Sequence, residues 1–339
     1  MSSNMLRLRA RILHIIRSFF TDRDYLEVDT PMLAPTLIPE AHLEVFETTL
    51  VHPDRGRRPL YLVPSPEVWI KRLLAEGVGS VFQLGKSFRN GESVGRLHAP
   101  EFTMLEYYTV GAAYLESIEI TETLLSAVRE QAGKQLAEYR TARGLEPKPP
   151  ELSRAGERVS VSQAFERYVG AGSQDITSIE ALHSLSFRNG VQSREDDTYE
   201  EAFNRLLVHL VEPELPRDRP VYLYDYPAAI PTLAADKPGT AWCERWELYL
   251  GGIETANCYT EERDPQKVKD FFSAESARKA DSLVPHPVDD GYYQLFGDNF
   301  PYCSGVAMGV ERLLMILLGE RSIKSVVPFT ALSEKGHGS

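Results

Sequence analysis

The chain has 339 residues, of which 42% are hydrophobic and 25% charged, the balance of a folded globular protein rather than a disordered one. Its 37 lysines and arginines face 49 acids, a formal charge of −12, which disfavours broad gripping of nucleic acid and suits a basic partner or a cationic small substrate. Three cysteines (Cys243, Cys258, Cys303) without C-x-x-C spacing argue against a disulfide framework or zinc knuckle and point to a reducing compartment, the cytoplasm.

Leu8, Ile12, Ile15, Ile16 and Phe19 recur at helical spacing, so the basic N-terminus reads as a first core helix rather than a transit peptide. Strands with short turns follow to residue 110, interrupted by a helix that Ser65-Pro66-Glu67 opens, with Ser65 as N-cap and Pro66 at the first position. Residues 112–132 are predicted helical, 133–158 a polar surface connection, and 160–213 mostly helical with a stripe of Phe203, Leu206, Leu207 and Leu210. Strands are expected over 220–262, a charged helix over 265–282, and a strand entering a helix over 300–319. The longest aliphatic stretch, 313–318, is too short to cross a bilayer, so no membrane association is expected. The fold class that follows is α+β: an antiparallel sheet flanked by helices, one domain over 1–339 with a helical insertion at about 112–218.

Familiar phosphate loops fail: the glycines of Gly79…Gly85-Lys86-Ser87 stand one residue too far apart for a Walker A loop, and the intervening residues read as strand. Other segments carry chemistry. Glu67 either complements its helix dipole or faces a ligand. Strand 81–89 places Gln83, Gly85, Ser87 and Arg89 on one face, and strand 101–108 sets Glu106 among Phe102, Met104 and Tyr108. A carboxylate on such a face needs a core arginine or a cationic ligand. The loop between these strands holds Arg89, Arg96 and His98, groups suited to phosphate. Gly251-Gly252 predicts a two-residue hairpin with Tyr249 opposite Glu254, which makes Glu247 a diagonal neighbour of Glu254 and suits that acid pair to magnesium. Asn257, Tyr259 and Glu261 have the opposite parity and join that face only after a bulge. Cys303, Gly305, Ala307 and Gly309 form a small-residue stripe, either a ligand floor or a close helix-packing surface, that leads to Arg312.

In this order, these blocks resemble the three motifs of class II aminoacyl-tRNA synthetases. Leu26-Glu27-Val28-Asp29-Thr30-Pro31 is similar to motif 1, Phe88-Arg89 through Glu101-Phe102-Thr103-Met104-Leu105-Glu106 to motif 2, and Gly305 through Arg312 to motif 3. Ser65-Pro66-Glu67, the run from His98 to Tyr108 and Asn257…Glu261 resemble the lysyl branch. The N-terminal OB-fold of that branch has no counterpart, and Cys303-Ser304-Gly305-Val306-Ala307 resembles the stand-alone paralogues that load lysine or β-lysine onto elongation factor P.

The resemblance implies a homodimeric ligase using ATP and Mg2+, with elongation factor P rather than tRNA as acceptor. It implies Arg89 on the α-phosphate and substrate carboxylate, Phe102 on adenine, and Arg312 on the γ-phosphate. Glu92, Arg96 and His98 would clasp ATP, and Glu247 and Glu254 the metal. Glu67 would take the backbone-side amine, Glu106, Tyr108, Asn257 and Glu261 the side-chain ammonium, and Ala307 would lie beneath the substrate. Gly91 stands where motif 2 carries its glutamate, which a one-residue insertion before Glu92 accounts for. Two alternatives remain open: a truncated lysyl-type enzyme with another acceptor, or a degenerate paralogue that senses ATP or an amino acid.

Overall fold

The computed structural model describes residues 3–91, 95–149 and 155–329. Its first helix, α1 (Ser3–Thr21), buries Met5, Leu8, Ile12, Ile15, Ile16, Phe19 and Phe20, the stripe the sequence spacing predicted. It packs with α3 (Tyr114–Thr141) and α8 (Val310–Leu318) against one face of an eight-stranded sheet. The spatial order of the sheet is β1 (Leu26–Glu27), β5 (Val81–Phe88), β6 (Glu101–Val110), β11 (Cys303–Gly309), β10 (Ile253–Thr260), β9 (Trp242–Leu250), β8 (Val221–Pro227) and β7 (Glu157–Ser160). Only the outer pairs, β1 with β5 and β7 with β8, are parallel. A smaller sheet pairs β2 (Leu33–Ala34), β4 (Gly56–Leu62) and β3 (Phe46–His52).

Strand alternation divides the buried residues between the two faces. Leu105, Tyr107, Trp246, Leu248, Cys258, Val306 and Met308 join the core with α1, α3 and α8. The opposite face carries two separate cores. At one end α4 (Val161–Val169), α5 (Ile179–Arg188) and α6 (Tyr199–Leu206) cover β7, β8 and β9. At the other, α2 (Glu67–Ala75), α7 (Pro265–Lys279) and the small sheet pack over Val81, Tyr108 and Cys303. The middle strands between these two cores floor a cleft.

Three local expectations shift. Helix α3 continues past Gly133 to Thr141, because Ala132, Leu136 and Tyr139 extend its apolar face into the principal core. That packing outweighs the roughly 1 kcal/mol a helical glycine costs. Since α3 belongs to this core, the separate helical layer begins beyond it, not at residue 112. Helix α2 has Pro66 at its N-cap, one residue later than expected; Ser65 Oγ still accepts the Glu67 N–H at 3.0 Å. After α6 the chain widens into a π turn over Leu207–Val211, with Leu207 and Val211 buried.

The β9–β10 hairpin has the predicted register, Leu250 opposite Ile253 and Tyr249 opposite Glu254, with Gly251 and Gly252 at φ +60° and +76°. A bulge then falls between Glu254 and Ala256. Among the described residues, no helix is long and apolar enough to cross a membrane.

Candidate active site

The cleft has a volume of about 580 Å3, and Ala307 and Gly309 of the small-residue stripe line it. Gly305 serves packing instead: a Cβ there would stand 2.5 Å from the Tyr108 ring and 2.8 Å from a Glu261 carboxylate oxygen. The close packing at Gly305 is therefore against side chains of β6 and of the segment after β10, not against a helix.

One end is cationic. Arg89, at the end of β5, and Phe102, on β6, line it, with the guanidinium 5.4 Å from the ring centroid. Arg312, in the first turn of α8, donates from Nη1 to the Glu254 carbonyl at 2.7 Å, and its Nη2 lies 2.8 Å from His98 Nε2. Its Nε donates to the Leu97 carbonyl at 3.4 Å, so the motif 2 loop is held against α8. Glu311 reinforces this junction by accepting the Thr103 N–H and an Arg9 Nη2 proton, each at 2.8 Å. The Arg96 carbonyl accepts from Ile323 N–H at 2.9 Å, and Arg96 is not among the residues lining the cleft. Glu92 lies outside the described residues.

On the neighbouring hairpin, Glu247 and Glu254 both line the cleft. Glu247 accepts from Tyr226 OH at 2.6 Å, Tyr249 OH at 2.8 Å and Arg245 Nη2 at 2.6 Å. Arg245 thereby relieves much of the repulsion expected between the two acids. Desolvation in the cleft and then the charge of Glu247 still push Glu254 up to about 7. Among the described residues, no group of three or more His, Cys, Asp or Glu is arranged to hold a metal on its own. The Glu247–Glu254 pair offers hard oxygens that suit a magnesium ion arriving with polyphosphate, with the Glu254 carboxylate also 3.6 Å from Arg312 Nη1 and further ligands left to the nucleotide.

The other end is acidic. Glu67, the first residue of α2, accepts from Tyr259 OH at 2.7 Å and pairs with Lys71 Nζ at 2.5 Å, one helical turn on. Lys71 is fully buried and also meets Glu261 at 2.7 Å. Glu106 accepts from Ser65 OH at 2.6 Å and Tyr108 OH at 2.8 Å, so hydroxyls rather than a core arginine satisfy it. Glu67, Asn257 and Tyr259 line the cleft, whereas Glu106, Tyr108 and Glu261 are buried behind that wall. The bulge supplies the parity change that brings Asn257 and Tyr259 onto the face of Glu254.

Burial, then the charge of Glu67, pushes Glu106 up to about 7, against the pull of Ser65, Tyr108 and Lys71. Burial also raises Glu261, with Glu67 and Glu106 adding to the effect and Lys71 opposing it. Fully ionised, three carboxylates would share one ammonium, an excess of two negative charges. The raised values of Glu106 and Glu261 reflect that crowding of like charges in a buried site.

The family model for tRNA synthetases class II (D, K and N) matches residues 1–333. The chain belongs to this family. It is similar to the elongation factor P–(R)-β-lysine ligase of Klebsiella pneumoniae strain 342, with 37% identity across 96% of this chain and 94% of that one. Ligases of the same name from Yersinia enterocolitica and Salmonella paratyphi B are 35% and 36% identical over the same shares. The sheet flanked by helices and the motif resemblance agree with these relatives.

Sequence reasoning missed several parts of this class II synthetase site. Lys71 was legible as the i+4 partner of Glu67, a spacing that places both on one helix face. Ser65 serves twice, capping α2 and donating to Glu106. Arg245 sits opposite Tyr259 across β9–β10, a pairing visible only once the bulge is known. Glu40 and His42, from the loop before β3, line the cleft without a motif to signal them.

Proposed function

We propose that this synthetase is an ATP-dependent ligase that activates lysine or (R)-β-lysine as an aminoacyl adenylate and transfers it to a lysine side chain of elongation factor P. The observation that carries this reading is one cleft with carboxylates at one end and guanidinium groups at the other. A diamino acid brings two ammonium groups, matching the excess charge around Glu67, Glu106 and Glu261. Glu67, at the cleft surface, is assigned to the backbone-side amine; Asn257 beside it, with Glu106, Tyr108 and Glu261 buried behind, is assigned to the side-chain ammonium. Glu261 acts there through Lys71, which occupies its carboxylate.

Arg89 lies where it can hold the substrate carboxylate and the α-phosphate, with Phe102 beneath for adenine. Arg312, His98, Arg96 and Glu92 are assigned to the outer phosphates and the rest of ATP. Magnesium held by Glu247 and Glu254 would supply charge neutralisation of the phosphates. The substrate carboxylate attacks the α-phosphorus in line, pyrophosphate leaves, and the acceptor amine then displaces AMP. The protein contributes position and electrostatic stabilisation. The three cysteines are buried, so none is placed as a nucleophile.

Ala307, on the floor, is the assigned contact beneath the substrate backbone. A cytoplasmic homodimer completes the proposal, supported by exposed Leu26, Met32 and Leu33 around Pro31. ATP–pyrophosphate exchange with lysine and both β-lysine enantiomers tests activation, and mass spectrometry of elongation factor P tests transfer. No exchange with any of the three would overturn the ligase reading in favour of a sensor.

A further inference from the structure

The residues assigned to nucleotide and diamine occupy the sheet floor and the two ends of the cleft, yet the cleft has another wall. That wall comes from the helical layer, the loop before β3 and helix α7: Asn204, Leu207, Val208, Ile38, Leu43 and Phe271. It is chiefly apolar, and acids stand beside it at Glu200 and Glu275. The same two acids are bridged by one guanidinium. Arg278 reaches Glu200 at 3.5 Å and Glu275 at 2.6 Å, while the other Glu275 oxygen accepts the Ala41 N–H at 2.8 Å. Arg278 and Glu275 of α7 therefore tie the helical layer and the loop before β3 together beside the cleft.

We propose that this outer lobe is the acceptor channel, a site for the side chain of a protein lysine. This deepens the ligase reading and rests on it. An acceptor amine must reach the carbonyl held near Arg89, and the sheet floor is closed by the packed core of α1, α3 and α8. Among the described residues, the lobe offers an approach from the open side of the cleft. Its lining has the pattern of a lysine side chain: aliphatic contacts along a stem and a carboxylate for a cationic head. The incoming ammonium exchanges with Arg278 at Glu200 and then moves inward along Val208 and Leu207. It gives its proton to solvent before the neutral amine attacks. The C–N bond forms, the bond from the acyl carbon to the phosphate oxygen breaks, AMP departs with the electron pair, and the new amide nitrogen gives its second proton to solvent.

The test separates the two half-reactions in the full chain. Val208 is 49% exposed, so Val208→Trp narrows the lobe without filling a core position. Glu200→Gln removes the charge at the rim. Each variant is assayed for pyrophosphate exchange with lysine, and for acyl transfer to elongation factor P and to Nα-acetyl-lysinamide, with melting temperature as a fold check. The expected result is exchange within twofold of wild type and transfer to both acceptors at least tenfold slower for Val208→Trp, with a raised acceptor KM for Glu200→Gln. Unchanged transfer in both variants, or equal loss of exchange and transfer in both, overturns the channel. Absence of exchange in the wild-type enzyme instead overturns the ligase reading on which it rests.

Discussion

Glu106→Gln is the sharpest probe of the proposed diamine pocket. The Glu106 side chain is 2% exposed and held by two hydroxyls, so glutamine keeps its volume while removing the charge. Breaking a buried charge pair costs about 3–5 kcal/mol. At the lower bound, lysine affinity falls by roughly 100-fold, and ATP affinity stays unchanged. The pH profile gives a second reading. Free Glu106 titrates at about 7, and a bound ammonium favours its ionised form, so lysine affinity is full above that pH. It declines as pH falls through 7, by about tenfold or 1.4 kcal/mol per unit. The variant should lose this slope. An acid raised in the folded state also makes folding less favourable as pH rises from its unfolded value toward 7. Glu106→Gln should therefore raise the unliganded Tm at pH 8 but not at pH 4. Isothermal titration with lysine and with an ATP analogue, across pH 5.5–8.5, measures the affinities. Unchanged lysine affinity, or equal losses for both ligands, would refute the assignment.

Other substitutions report on separate parts of the cleft. Lys71→Met leaves Glu67 and Glu261 without their buried cation, a loss of about 3–5 kcal/mol. Calorimetry should show a larger fall in Tm at pH 8 than at pH 6, because a protonated Glu261 tolerates the loss. Gly305→Ala places a methyl 2.5 Å from the Tyr108 ring, an overpacking cost of about 1–3 kcal/mol. Exchange kinetics should show a raised lysine KM with the ATP KM intact. Arg312→Ala removes the contacts that hold Leu97 and His98 against α8. Its ATP affinity should fall at least tenfold, while lysine binding without nucleotide, followed by calorimetry, stays near wild type.

Features set by neighbouring residues were legible in the sequence. Two glycines fixed the β9–β10 register, and strand alternation showed that Asn257 and Tyr259 needed a bulge to reach the face of Glu254. What escaped was tertiary. The ion pair of Lys71 with Glu261 joins α2 to the segment after β10, and nothing in local spacing announces it. The donors on Glu247 come from Tyr226 on β8 as well as from its own strand, across a pairing that is itself shifted between Tyr224 and Tyr226. Residues 133–158 read as a surface connection because their polarity is visible in sequence, whereas the packing of Leu136 and Tyr139 is not.

The bulge at Thr255 acts as a phase shifter in a strand that spans both ends of the cleft. Upstream of it, Glu254 lies beside Arg312; downstream, Asn257 and Tyr259 face the cleft, with Tyr259 against Glu67 and with Ala256 and Cys258 packed in the principal core. Excising that one residue would rotate everything beyond it by half a turn, burying the amide and the phenol and presenting a thiol to the ligand. On the proposed reading, fidelity for the amino acid is thus vulnerable to a length change in the backbone, whatever the side chain at that position.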